Sequence, residues 1–409
     1  MKLSRTIANV ALFSLTVGCA VGACLVTSKV ALVALAVFAA IGAITCIIKT
    51  FKAVFQKNEI QKNEIQKNEI QKIISESSCI INNFTEFHSL EKQKELHQSA
   101  KTFLKENLAK IGAKYSVVNP KNIIKCDLDS IDLSVNFENS SIFKMAYTNG
   151  VMGDIEQDGN RQEDNHIVYG VASQFNGCEA PVKMTIEPGK AVNVYKDDRT
   201  QGPQAQLAFS DEQVELINCG GNLGFNGLCN LLDEETKAEI AHGYFTPQQS
   251  KADQIINLLK SSGTNIEYPC VENKPKGGNK TVHQILVSAP ALGIYAHKET
   301  EKELPLEQKN EIEFLMAFYS FQAQFQLCLD LALESKKPVI LKATAVGLGV
   351  FGNKPENVAK AFYAAAQNYV DAFKENRVQV IFQVFKKDTY ECPNGKEMVS
   401  LLGLKNIDN

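Results

Sequence analysis

The chain has 409 residues, longer than one typical domain, so one sizeable core with appendages or two modest domains is expected. Its composition is that of a globular protein, with 44% hydrophobic and 22% charged residues, and a net charge of -3 without Lys/Arg-rich blocks argues against a nucleic-acid partner. Eleven cysteines and six histidines show no CxxC pair and no metal-ligand spacing, which argues against a disulfide scaffold or a structural metal and favours reduced thiols in a cytosolic compartment.

From Ile7 to Ile48 the only charged residue is Lys29. It divides the stretch into Ile7 to Val26 and Val30 to Ile48, each close to the ~20 residues that cross a bilayer as a helix. The reading is a transmembrane helical hairpin over residues 1–50. A cleavable signal peptide would have one shorter apolar core, and a buried helical pair would keep a polar face. Lys2 and Arg5 before the first span and Lys49 and Lys52 after the second put both ends, and whatever follows, on the cytosolic side. Gly18 and Gly22 form a GxxxG that leaves room for close helix contact. The layout resembles the membrane hairpins of effectors that intracellular bacteria secrete into host membranes.

Residues 51–82 read as a charged spacer. Gln56 to Ile70 repeats QKNEI, and five residues advance about 500° around a helix, which winds Ile60, Ile65 and Ile70 off any single face. Residues 83–145 read as a helical extension: Phe87, Leu90, Phe103, Leu104 and Leu108 among Glu and Lys predict one or two amphipathic helices over Glu86 to Lys110. No chemistry attaches to them.

Residues 146–390 carry the globular pattern, and 391–409 a tail. His166 to Ala172, Ile285 to Ala289, Val339 to Ala343 and Val378 to Phe385 are short runs rich in β-branched and aromatic residues, and predict strands. Phe314, Phe318, Phe321, Phe325, Cys328 and Ala332 form a helical stripe before the third strand. Val358, Phe362, Ala366, Tyr369 and Phe373 form another over Glu356 to Lys374, with Asn353 as cap and Pro355 in the first turn. Helices alternating with buried strands predict an α/β fold, a three-layer sandwich with a mostly parallel central sheet, whose ligands bind at the carboxyl ends of strands.

At the end of the third strand, Gly347-Leu348-Gly349-Val350-Phe351-Gly352 is a GxGxxG leading into a helix. Such a turn brings bare amides and the positive helix end close to a diphosphate, or serves simply as a tight turn. The dinucleotide version requires an acid about 20 residues on, at the end of a second strand. The nearest candidate, Asp371, lies inside the amphipathic helix, so the Rossmann reading fails.

VILKATAVGLGVFGNKPENVAKAF resembles the penultimate strand, glycine-aromatic phosphate loop and following helix of the macrodomain family, and FQLCLDLALESKKP the helix before them. Gly153-Asp154-Ile155 followed by HIVYGVASQFN is similar to that family's GDI motif and ribose-side strand, and VHQILVSAP to its middle strand. The resemblance runs from Ala146 to Phe385. It implies an ADP-ribose pocket in which Asp154, with Ile155, recognises adenine, Gly347, Gly349, Val350, Phe351 and Gly352 wrap the diphosphate, and Phe351 lies near the distal ribose. It implies no cofactor and no metal. Without the family context, an Asp in such a turn is a helix cap or turn former.

Where the family has Asn-Ala-Ala-Asn and a GGG run, this chain has Ser173 to Glu179 and Tyr195 to Pro203. The pair QFNxxE and DxTQGP resembles a divergent branch that includes secreted bacterial effectors acting on ADP-ribosylated ubiquitin. That branch implies Asn176 and Gln201 at the distal ribose, Gln174 among the ligand-binding residues, and Asp198, Asp197 and Glu179 as candidate catalytic carboxylates. Cleaving the glycosidic bond builds positive charge on the sugar, which a carboxylate stabilises while activating water. Adjacent acids cannot both face one ligand, which favours Asp198 pointing inward with Asp197 accessory. Cys178 is a nucleophile only on paper, with no histidine beside it in sequence. Two functions stay open: a membrane-anchored hydrolase that removes ADP-ribose from a modified protein, ubiquitin among the candidates, and a non-catalytic module that recruits ADP-ribosylated targets to a membrane.

Overall fold

The computed structural model describes residues 88–407 apart from 135, 180–184, 242, 293–303, 345, 350 and 388–389, together with 49, 52, 64 and 68–74. The chain divides into residues 1–70 and 71–409. In the first unit the few described residues are helical, and the expected hairpin over Ile7 to Ile48 and most of the QKNEI spacer lie outside the described residues. Among the described residues, no helix is long and apolar enough to cross a membrane.

The second unit is built on seven strands, β1 (Lys114–Val118), β2 (Phe143–Thr148), β3 (His166–Ala172), β6 (Tyr268–Asn273), β7 (Val282–Val287), β8 (Val339–Ala343) and β9 (Val378–Lys387). Their order is β1-β6-β7-β3-β8-β9, with β2 on the far side of β9. The five strands from β7 to β2 pair parallel, and β6 and β1 are antiparallel. Two-residue strands β4 (Ile240–Ala241) and β5 (Tyr244–Phe245) form a separate hairpin, and β10 (Tyr390–Glu391) folds back on the end of β9.

Both faces are covered, because β3 alternates. Val168 joins the core beneath the helices α6 (Ala252–Ser262), α7 (Leu306–Ser335), α8 (Pro355–Gln367) and α10 (Pro393–Leu401), while Ile167, Tyr169 and Val171 join the core beneath α1 (Leu90–Lys110), α2 (Val151–Asp158) and α5 (Asp211–Asn222). Phenylalanines at helical spacing seal the first core: Phe362 meets Phe321 edge-on at 5.0 Å and Phe325 at 5.5 Å. Gly170 has no Cβ because one would lie 2.0 Å from Gln324 Oε1 on α7.

The expected strands at His166, Val339 and Val378 are present, and the one expected from Ile285 begins earlier, at Val282. Three further strands, β1, β2 and β6, carry Lys, Pro, Glu or Asn within short runs, which masks the apolar signal that marks the buried ones. Residues 83–145 and 391–409 therefore differ from the expected extension and tail, because β1, the first half of β2, and α10 belong to the same compact unit. The helix expected over Glu356 to Lys374 breaks after Gln367, and α9 (Val370–Glu375) resumes it.

Candidate functional site

A cavity of about 650 Å³ opens where β2, β3 and β8 end and alongside β9. Thr148 closes β2, Ala172 closes β3, Thr344 follows β8, and Gln383, Val384 and Phe385 of β9 line it as well. Parallel strands bring these carboxyl ends to one edge, the position at which open α/β sheets bind ligands. From β3 to β2 there are three strand spacings, about 14 Å at ~4.8 Å each.

The glycine turn forms the middle of the cavity. Gly347 (φ 82°) and Gly352 (φ 69°) adopt left-handed backbone, and Gly352 N–H and Asn353 N–H donate to the Gly349 and Gly347 carbonyls at 3.1 and 3.0 Å. The N–H groups of Leu348 and Gly349, both lining the cavity, make no hydrogen bond among the described residues, and a Cβ on Gly349 would meet nothing within 4 Å. Buried Asn353 is not the expected cap: its Nδ2 braces the turn to the Pro290 and Phe351 carbonyls, and Lys354 caps α8.

The positive end of α8 is not free for an anion. Fully buried Glu313 of α7 accepts from Lys354 N–H at 3.0 Å and from Asn357 Nδ2 at 2.7 Å. The expected dipole contribution to a diphosphate is thus met internally, and the turn's amides remain. Gly347→Ala should force a Cβ to 2.4 Å from Asn353 Oδ1 in left-handed backbone. It is expected to destabilise the fold by ~1–2 kcal/mol from backbone strain alone, read as a lowered urea midpoint.

At the β3 end lie two carboxyl groups. Glu179 is enclosed by protein except where it meets the cavity, and its N–H donates to the hydroxyl of fully buried Tyr195 at 2.9 Å. Burial pushes its carboxyl well above the usual range, the Ser173 hydroxyl beside it opposing and Asp198 adding to the rise. Gly202 makes the seat, since a Cβ there would lie 2.2 Å from the Ala172 carbonyl and 2.3 Å from Glu179 Oε1. Asp198 caps α3 (Ala191–Asp197), and its Oδ1 accepts from Thr200 N–H at 2.8 Å and Thr200 Oγ1 at 2.7 Å. Glu215 on α5 holds the start of α3 by accepting from the Gly189 and Val192 N–H groups.

The expected site residues divide clearly. Glu179, Asp198, Gln174, Gln201, Gly347, Gly349 and Phe351 line the cavity, and Gln201 is fixed there because its Oε1 accepts from Ala172 N–H at 3.0 Å. Val350 lies outside the described residues.

Others are elsewhere. Asp197 is exposed on the last turn of α3 and off the cavity. Ile155 is fully buried in the second core, because it follows Val151 by four residues on the face of α2 that packs on the sheet. Asn176 spends its Oδ1 on the Cys178 N–H and packs against Gly243, and Gly352 lies beyond the lining. Cys178 is buried against the Asn218 carbonyl of α5, where desolvation pushes its thiol up.

Asp154 stands in the first turn of α2, half-buried, and reaches the cavity through a partner: Gln383 Nε2 donates to its Oδ2 at 2.9 Å. The far end of α2 is fixed by fully buried Asp158, which pairs with Lys342 Nζ at 2.6 Å and accepts from the Tyr169 hydroxyl at 2.6 Å. Sequence reasoning missed Thr148, Ser173, Arg199, Tyr244, Gln383 and Phe385 as lining residues. Ser173 and Arg199 sit within the loops already singled out, whereas Gln383 and Phe385 are marked only by the two-residue alternation of β9.

No protein-family model matches the chain, and no curated protein is similar to it. Solved structures of poly(ADP-ribose) glycohydrolase are similar in arrangement. The enzyme of Deinococcus radiodurans in complex with ADP-ribose is 11% identical, covering 77% of this chain and 92% of its own at a TM-score of 0.33. That of Thermomonospora curvata bound to the inhibitor ADP-HPD is 12% identical, covering 80% and 99% at a TM-score of 0.31. Likeness at this level bears on neither activity nor residue roles.

Proposed function

We propose that the chain binds ADP-ribose and hydrolyses its link to a modified protein. The observation that supports this most is a set of buried polar side chains along the cavity: Gln383, whose Oε1 has no partner among the described residues, on the β9 side, and Ser173 and Glu179, whose hydroxyl and carboxyl lie beside each other, on the β3 side. Buried polar groups are ordinarily paired, so such atoms around a cavity suit a polar ligand. Between them run the amides of Leu348 and Gly349, suited to a diphosphate, and half-exposed Phe385 offers a ring face to a base. The macrodomain resemblance of the sequence names the ligand that has these parts in this order.

In this reading Glu179, whose carboxyl burial pushes above the usual range, is the proton donor: it gives its proton to the leaving group as the C1″ bond breaks with its electron pair. Water adds to C1″, and Asp198 takes its proton. The alternative, binding without turnover, draws on Asn176, which is turned into a backbone turn instead of toward the cavity. Ile7 to Ile48 would tether the unit to a membrane, with ADP-ribosylated ubiquitin among the candidate substrates.

Incubating the 409-residue chain with ADP-ribosylated proteins, ubiquitin included, should release ADP-ribose. Binding of free ADP-ribose by calorimetry without any release would favour the binding module, and no binding at all would remove both readings.

A further inference from the structure

Gln383 sits where β9 outruns its neighbour, since the last β8 pair is Ala343 with Phe382 and the chain of β8 then departs into the glycine turn. Its side chain lies on the same face of β9 as Phe385 and is buried. An ionised carboxylate accepts and does not donate, so the contact with Asp154 Oδ2 fixes which end of the Gln383 amide is which: the NH2 group faces Asp154. The opposite oxygen is then left buried and without a partner among the described residues, in a side chain that lines the cavity. Asp154 itself does not line it.

We infer that Gln383 is the residue that reads the base, with Asp154 acting through it as a positioning residue. The inference rests on the ADP-ribose reading above. A fixed carbonyl oxygen accepts from the 6-amino group of adenine and meets the 6-oxo oxygen of hypoxanthine acceptor to acceptor. The site therefore selects 6-aminopurine nucleotides, and Asp154 maintains the selection by holding the amide against reversal.

The test is calorimetry of the 409-residue chain with ADP-ribose and with inosine diphosphate ribose. The unsubstituted chain should favour ADP-ribose by about tenfold or more, the discrimination expected when a buried acceptor is left unpaired. Gln383→Leu should bring the two ligands close to parity, and Asp154→Asn, which no longer dictates the amide's orientation, should shrink the preference while both variants keep the parent's thermal midpoint. Should Gln383→Leu fail to fold, Gln383→Met keeps the length and removes the acceptor. A Gln383 variant that keeps the full adenine preference would overturn the inference and leave the ADP-ribose reading standing. Failure of the unsubstituted chain to bind ADP-ribose would overturn both.

Discussion

Glu179→Gln is expected to leave ADP-ribose binding within a few-fold of the parent and to slow release from modified protein by about 10² to 10⁴-fold, the usual contribution of a general acid. Gln fills the same seat against Gly202 but carries no transferable proton. The pH profile separates this role from a structural one. A carboxyl raised by burial keeps its proton at pH values where an ordinary one has lost it, so activity should be present below the raised value and fall as pH climbs through it. The Gln variant should show no such limb. A variant as active as the parent, with the same alkaline fall, would transfer the role to Asp198.

Glu267→Ala is expected to cost about 3–5 kcal/mol of stability, measured as the shift in urea unfolding of the whole chain, because it strips one side of a buried ionic cluster. Glu267 follows the loop into β6 and meets His97 Nε2 at 2.9 Å, Lys101 Nζ at 2.8 Å and Asn230 Nδ2 at 3.0 Å. His97 Nδ1 accepts from the Asn226 N–H, which leaves Nε2 to carry the proton toward Glu267. Burial acts to raise the Glu267 carboxyl, but the hydrogen bonds from His97 and Lys101 outweigh it and hold it at about 2. A depressed carboxylate contributes stability that is present above its ordinary range and lost as pH falls toward about 2. Stability of the parent should therefore fall as pH drops from the ordinary carboxylate range toward about 2, and the variant should lose this part of the slope. An unchanged urea midpoint would show that α1 is not held by this cluster.

These two residues also divide what sequence reveals from what it conceals. Helices α7 and α8 were legible because their cores are Phe and Ala at helical spacing, and buried parallel strands such as VILKA because two covered faces demand unbroken apolar runs. The glycine turn was legible for the same local reason: left-handed backbone at Gly347 and Gly352 needs residues without a Cβ. The edge strand β1 and its antiparallel neighbour β6 were not, since polar residues there mimic a loop. Nor was the broken helix after Gln367, whose apolar period continues across the break.

What the sequence alone determined is therefore the order of buried elements and the loops that carry acids and glycines, because both are written in spacing along the chain. Which acid sits in a dry seat, which polar side chain lines the cavity, and which carboxyl holds the head of α8 was decided only by the tertiary structure. Glu179 and Gly202 lie 23 positions apart, Asp154 and Gln383 229 apart, and Glu313 and Lys354 41 apart, yet each pair meets only when the sheet brings distant strand and helix ends together. Desolvation and hydrogen bonding act on that proximity in space, and no local pattern records it.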